Sequence, residues 1–309
     1  MYIEEINKII DIFIENLPDH LKNDKKPMFI DLILDSGMFN GGYLLGTLYF
    51  LKEMEKRNYI KITRISGCSI GSLAGFLYLT DNLDLSDPFY NIITQYFKEN
   101  YNFKNYEETI KNLLNDKINE NVYNKINNIL FIKYNNIKKG TQIKSFYKNK
   151  DEIINTIMRS SFLPYIIDGN ILYKEKYLDG FNPYIFKKRS DRKIIFFDLS
   201  GLDKIHLIFN IKNEKNTLER SLIGLTEIYM FFIKQSDTSM CSFVNDWNHY
   251  KTARFYIRCL LEKIICYIIY FIFFVKKYIN IKYYNNFFYK ILSNVSYNIY
   301  IMLIDNYCI

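Results

Sequence analysis

The chain has 309 residues, 49% of them hydrophobic and 24% charged, a balance that buries a core and excludes a disordered polymer. Its formal net charge of +8 favours anionic partners, either nucleic acid or an acidic membrane surface. No nucleic-acid motif accompanies the scattered basic residues, and the five cysteines (Cys68, Cys241, Cys259, Cys266, Cys308) form neither a CxxC pair nor a regular framework, so neither nucleic-acid binding nor a metal or disulfide scaffold is expected.

An amphipathic helix is expected from Met1 to about Leu17. It lacks the basic start, apolar core and small-residue cleavage site of a secretory leader, which makes an intracellular, reducing setting the expectation. After Pro27, Met28 to Leu34 reads as a buried strand, residues 35–42 as a tight loop and Tyr43 to Arg57 as a helix. A second strand, Tyr59 to Ser66, runs into Gly67-Cys68-Ser69-Ile70-Gly71, followed by a helix from Ser72 to about Leu79. This strand–helix alternation is the pattern of an α/β fold with a parallel sheet covered on both faces.

Residues 81–125 are polar and mostly helical in pattern. Strands are expected at Ile129 to Lys133 and Thr141 to Phe146, and a helix at Asp151 to Arg159. Tyr165 to Ile167 and Ile171 to Tyr177 read as a hairpin turned at Asp168-Gly169-Asn170. Strands at Lys193 to Leu199 and Lys204 to Phe209 follow, and the rest, from about Leu218, is helical. The chain thus divides into an N-terminal helical segment over 1–26, an α/β domain over 27–215 and a helical, aromatic-rich segment over 216–309.

Gly67-Cys68-Ser69-Ile70-Gly71 has the G-x-S-x-G spacing of a nucleophile elbow. A serine on a sharp strand-to-helix turn sits in strained dihedrals, and glycine two residues either side removes the side chains that would collide there. The bland alternative is a glycine-rich turn that packs a helix on a strand. Ser69 needs a base, and only three histidines exist, His20, His206 and His249, none with a local signature. Ser69, Asp179 and a later histidine stand in the chain order of a triad, but the elbow follows only the second strand, which fits that arrangement poorly.

Four ordered segments resemble the patatin-like phospholipases across roughly Met28 to Pro183. Ser36-Gly37-Met38-Phe39-Asn40-Gly41 is similar to the family's G-G-G-x-[KR]-G oxyanion loop, and the elbow at Ser69 follows it. Arg159-Ser160-Ser161-Phe162-Leu163-Pro164 resembles the R-A-S-x-x-x-P segment, and Asp179-Gly180-Phe181-Asn182-Pro183 the D-G-[GA] motif with its N-P trailer. The resemblance implies a three-layer α/β/α fold with a mostly parallel central sheet and a serine–aspartate dyad. Ser69 would be nucleophile and Asp179 its base, with Ser36, Gly37 and Met38 forming the oxyanion hole. Gly67 and Gly71 would shape the elbow, with Asn40, Gly41, Arg159, Pro164 and Gly180 in support, and neither metal nor cofactor is implied. The substrate would be a phospholipid or another acyl lipid. Ser36 and Met38 stand where the family has glycines, Asn40 where it has a basic residue and Phe181 where it has a small one. A catalytically silent, lipid-binding relative is therefore the alternative.

Ile264 to Val275 is an uninterrupted apolar run closed by Lys276 and Lys277. At twelve residues it is short for a span, which needs ~20. It suits either a buried helix or an interfacial anchor, and the flanking lysines and aromatic residues lean toward membrane contact.

Overall fold

The computed structural model describes residues 2–309 except 23–25, 116, 202, 213, 215 and 279–286. Parts of the linker before Pro27, of the aromatic-rich tail and of the boundary near 215 therefore lie outside the described residues. A seven-stranded mixed sheet forms the middle layer, with strands in the order β4-β3-β2-β1-β6-β7. These are β1 (Met28–Leu34), β2 (Ile60–Gly67), β3 (Leu130–Asn136), β4 (Gly140–Lys144), β5 (Tyr177–Leu178), β6 (Lys193–Phe197) and β7 (Cys241–Phe243). The four central strands β3, β2, β1 and β6 run parallel. Strands β4 and β7 close the two edges antiparallel, and β5 pairs antiparallel with β3.

Strand β1 shows why both faces are covered. Its residues alternate sides: Ile30, Leu32 and Leu34 belong to the large core, while Ile33 belongs to a second cluster with Phe186, Ile194, Phe196 and Val244. On the first face lie α1 (Tyr2–Glu15), α3 (Gly42–Lys56), α4 (Ile70–Leu79) and α9 (Leu218–Lys234), with the short α2 (Asp19–Lys22) after α1. Helices α3 and α9 approach with backbones almost in contact, since a Cβ on Gly46 would fall 2.0 Å from the Ser221 carbonyl and one on Gly224 1.9 Å from that of Tyr43. Between β2 and β3 come α5 (Ser86–Asn100), α6 (Tyr106–Asn115) and α7 (Tyr123–Ile126), and α8 (Lys150–Ser160) follows β4. The second face is covered by α10 (His249–Tyr278), which sets Phe255 on one cluster and Cys266, Ile269, Tyr270 and Phe273 on another. The chain ends in α11 (Phe287–Tyr307).

Two sequence expectations change, and one strand appears that the sequence did not suggest. The expected hairpin at 165–177 is a run of turns with a single bridge, Tyr173 to Tyr177. The tight reversal falls at Lys174 and Glu175, both at positive φ, because Tyr165 and Asn170 close the earlier turn on themselves at 2.7 Å. The expected strand at 204–209 is a 3-10 turn over Ile205–Leu207, because the edge beside β6 is occupied by β7. That strand, only three residues long, was not foreseen. No helix among the described residues is long and apolar enough to cross a membrane.

Candidate active site

The site forms where β2 stops. Strand β2 pairs with β3 only as far as Gly67 opposite Ile132, and β5 then takes over the same side of β3 at Asn135 and Asn136. Ser69 follows the end of β2 and Asp179 the end of β5, so one strand edge brings together two residues far apart in sequence. This is the carboxyl end of the parallel sheet, where open α/β folds place ligands.

Ser69 holds φ +50° and ψ −129° immediately before α4, a conformation that is costly outside glycine. The flanking glycines make it attainable. A Cβ on Gly67 would lie 2.5 Å from the Gly71 carbonyl oxygen, and one on Gly71 would lie 2.5 Å from that of Leu34. The Ser69 N–H donates to both the carbonyl (3.1 Å) and the hydroxyl oxygen (2.9 Å) of Ser160. Ser160 in turn donates its hydroxyl to the Lys133 carbonyl at 2.6 Å, and its carbonyl accepts the Gly180 N–H at 3.3 Å. Ser160 therefore ties the elbow, β3 and the Asp179 loop together. Sequence reasoning put the weight of this segment on its neighbour Arg159, whose guanidinium lies over the Tyr177 ring at 4.4 Å. Pro164 begins the turns that follow.

Asp179 is buried, and its carboxyl accepts the Phe181 N–H at 2.7 Å. Burial pushes its pKa up to about 7, while the Phe181 N–H and the neighbouring Ser69 hydroxyl hold it down. A carboxyl poised near neutrality beside a serine hydroxyl is the setting that proton abstraction needs. A Cβ on Gly180 would fall 2.3 Å from the Lys133 carbonyl, which fixes glycine there. All three histidines are exposed and none contacts Ser69 or Asp179. Cys68, inside the elbow, has its thiol pushed well up by burial, so it stays neutral.

The loop after β1 lies opposite. Ser36 donates its hydroxyl to the Phe181 carbonyl, but its N–H is taken by Asp35 at 2.9 Å. The N–H groups of Gly37, Met38 and, at the start of α4, Ile70 have no hydrogen-bond partner among the described residues. The residue after an elbow serine is a usual oxyanion donor, yet Ile70 escaped the sequence reading. Met38 and Phe181, two departures from the glycine pattern, both sit at positive φ, +46° and +51°. Asn40 is buried, donating to the Leu199 carbonyl at 2.8 Å and accepting from Arg220 of α9. A buried guanidinium thus stands behind the loop although position 40 is uncharged. Gly41 packs directly on Ile70.

A narrow apolar cavity opens on Ser69, lined by Met38, Phe39, Ile70, Phe89, Tyr90, Ile93 and Tyr106. Ile70, Phe89 and Tyr90 also border a neighbouring apolar cavity walled by Leu44, Leu45, Leu48, Leu73, Ala74 and Leu77. Among the described residues no group of three or more His, Cys, Asp or Glu side chains is placed to hold a metal.

A family model described as patatin-like phospholipase matches residues 32–181. No curated protein and no solved structure matches the chain.

Proposed function

Because the chain carries a patatin-like phospholipase domain, of a family of lipid acyl hydrolases, we propose that it cleaves glycerolipid acyl esters through Ser69 and Asp179. The observation that carries the reading is the pairing of a strained elbow serine with a buried carboxyl at its side, whose pKa is pushed up to about 7. In this reading Asp179 takes the Ser69 proton as the hydroxyl oxygen attacks the ester carbonyl. The N–H groups of Gly37, Met38 and Ile70 receive the oxyanion, aided by the positive end of α4. Collapse of the tetrahedral adduct expels the lipid alcohol, which takes its proton from Asp179. Water then attacks the acyl-enzyme with Asp179 again as base, releasing fatty acid and free serine. The apolar lining of the cavities beside Ser69 favours an acyl chain.

Contact with a membrane surface belongs to the same reading. Along α10, Tyr256, Leu260, Leu261, Ile264, Ile268 and Phe271 are all exposed, and Lys276 and Lys277 close the helix. An exposed apolar stripe beside lysines fits an interfacial helix on anionic lipid. A second reading, a silent lipid-binding protein, rests on Met38 and Phe181 at positive φ beside the site. Fatty acid release from anionic phospholipid vesicles separates the two. The wild type is expected to release fatty acid and Ser69→Ala to release none; equal release by both would refute the catalytic reading.

A further inference from the structure

Helix α10 lies beyond the segment matched by the family model, yet its inner face reaches both halves of the site. Arg258 and Glu262 are one turn apart, so they share that face. The Glu262 carboxylate, 4% exposed, accepts from Lys133 Nζ at 2.7 and 2.8 Å, from Asn135 Nδ2 at 2.9 Å and from Asn182 Nδ2 at 3.0 Å. Its partners grip the base's own loop: Lys133 Nζ also donates to the Gly180 carbonyl at 3.1 Å, and Asn135 Nδ2 to the Asp179 carbonyl at 2.9 Å. Arg258 completes the arrangement, with Nε donating to Asn182 Oδ1 at 2.9 Å and Nη2 to both oxygens of Asp35 at 2.9 Å. Asp35 is the residue that binds the Ser36 N–H, at the root of the oxyanion loop.

A buried ion pair is a poor source of stability, since apolar residues of similar volume serve as well or better. Here, however, Lys133, Asn135 and Asn182 converge on one carboxylate, and through them residues 179–182 are held at two backbone carbonyls, those of Asp179 and Gly180, and at the Asn182 side chain. Resting on the hydrolase reading above, we propose that Arg258 and Glu262 are positioning residues, through which α10 holds the Asp179 loop and the oxyanion loop in register. The helix that offers its apolar face outward is by this arrangement a structural part of the site. Loss of its inner contacts frees both loops at once.

The test compares Glu262→Gln and Arg258→Lys with the full-length wild type. The charged and titratable groups around Asp179 are Lys133 from β3, Glu262 and Cys266 from α10, Tyr106 from α6 and Cys68 from the elbow. Glu262→Gln leaves Lys133 unbalanced beside Asp179, so kcat is expected to fall about tenfold or more with KM little changed. The acid limb of the rate profile moves down by roughly half to one pH unit. Wild-type kcat with an unmoved limb in folded Glu262→Gln overturns the proposal. Should Glu262→Gln not fold, Lys133→Met with Glu262→Met removes both charges together and leaves neither buried without its partner; it is expected to be slow, and wild-type turnover from it overturns the proposal. If the wild type itself releases no fatty acid, the hydrolase reading fails separately. Amide hydrogen exchange at residues 179–182 then decides the inference: faster exchange in Glu262→Gln supports it, and unchanged exchange overturns it.

Discussion

The hydroxyl oxygen of Ser160 accepts the backbone N–H of Ser69 at 2.9 Å. A residue at the end of α8 thus fixes the turn at the end of β2, and its own carbonyl reaches the loop that carries Asp179. Ser160→Ala removes the hydroxyl and leaves the buried Lys133 carbonyl without that donor. The expected cost is ~1–3 kcal/mol of stability, read as a lower melting temperature, together with a fall in kcat larger than the change in KM. An unchanged melting temperature and kcat would show that the elbow holds its shape without this bond.

Asp179 sets the pH dependence. Its folded pKa of about 7 lies above the ordinary 3.8, so the folded state binds this proton more tightly than the unfolded chain does. Stability from this group is complete below about pH 4 and is lost as pH rises toward 7. Activity runs the opposite way, since a base must be ionised: kcat/KM should rise through about pH 7. Asp179→Asn is therefore expected to abolish turnover and yet melt higher than wild type above neutrality, by roughly 2–4 kcal/mol in stability. A rate profile flat from pH 5 to pH 9, on the order of two units either side of neutrality, would contradict the assignment of the base.

Met38→Gly tests what the departure from glycine costs. Relief of a positive φ is worth ~1–3 kcal/mol, partly offset by lost packing and chain entropy. Stability should change by about 1 kcal/mol or less, while kcat/KM toward bulky acyl esters rises several-fold, because Met38 lines the cavity at Ser69. A drop in turnover would mean that the methionine side chain positions the substrate.

The depth of the apolar cavities should set chain-length preference. Ala74, on the wall of the neighbouring cavity, when changed to Phe fills that cavity while leaving the lining at Ser69 intact. Long-chain esters should lose about tenfold in kcat/KM, and short-chain esters should be unaffected. Parallel losses for both would place the acyl chain elsewhere.

Arg220 holds the back of the oxyanion loop through Asn40 and pairs with Glu214. Arg220→Met leaves the partly buried Glu214 carboxylate with the Tyr90 hydroxyl but without its cation, and thermal unfolding should show a loss of ~3–5 kcal/mol. A loss below about 1 kcal/mol would assign the loop's stability to packing instead.

Much of this was legible in the chain, and the limits have physical causes. The buried strand Met28–Leu34 is legible at its observed bounds because an apolar run, interrupted by Asp31 alone, between a proline and a turn admits few alternatives. The glycines at 67 and 71 announced the elbow because only they fit against Leu34 and against each other. Strand β7 left no trace: three residues carry no periodicity, and their pairing is decided by the exposed edge of β6. Ser160 stood inside the Arg159–Pro164 motif without showing its own role, and Lys133 and Glu262 were silent, since a serine within a helix or a lysine on a strand has no local signature of the partner it meets across the fold. The uncharged Asn40 could not disclose that Arg220 would arrive from α9.

The central claim is that Ser69 is a nucleophile activated by Asp179, and labelling by a fluorophosphonate followed by peptide mapping tests it most directly. The wild type should be modified at Ser69, Asp179→Asn should react far more slowly and Ser69→Ala not at all. An unlabelled wild type, or a label that persists in Ser69→Ala, would contradict it.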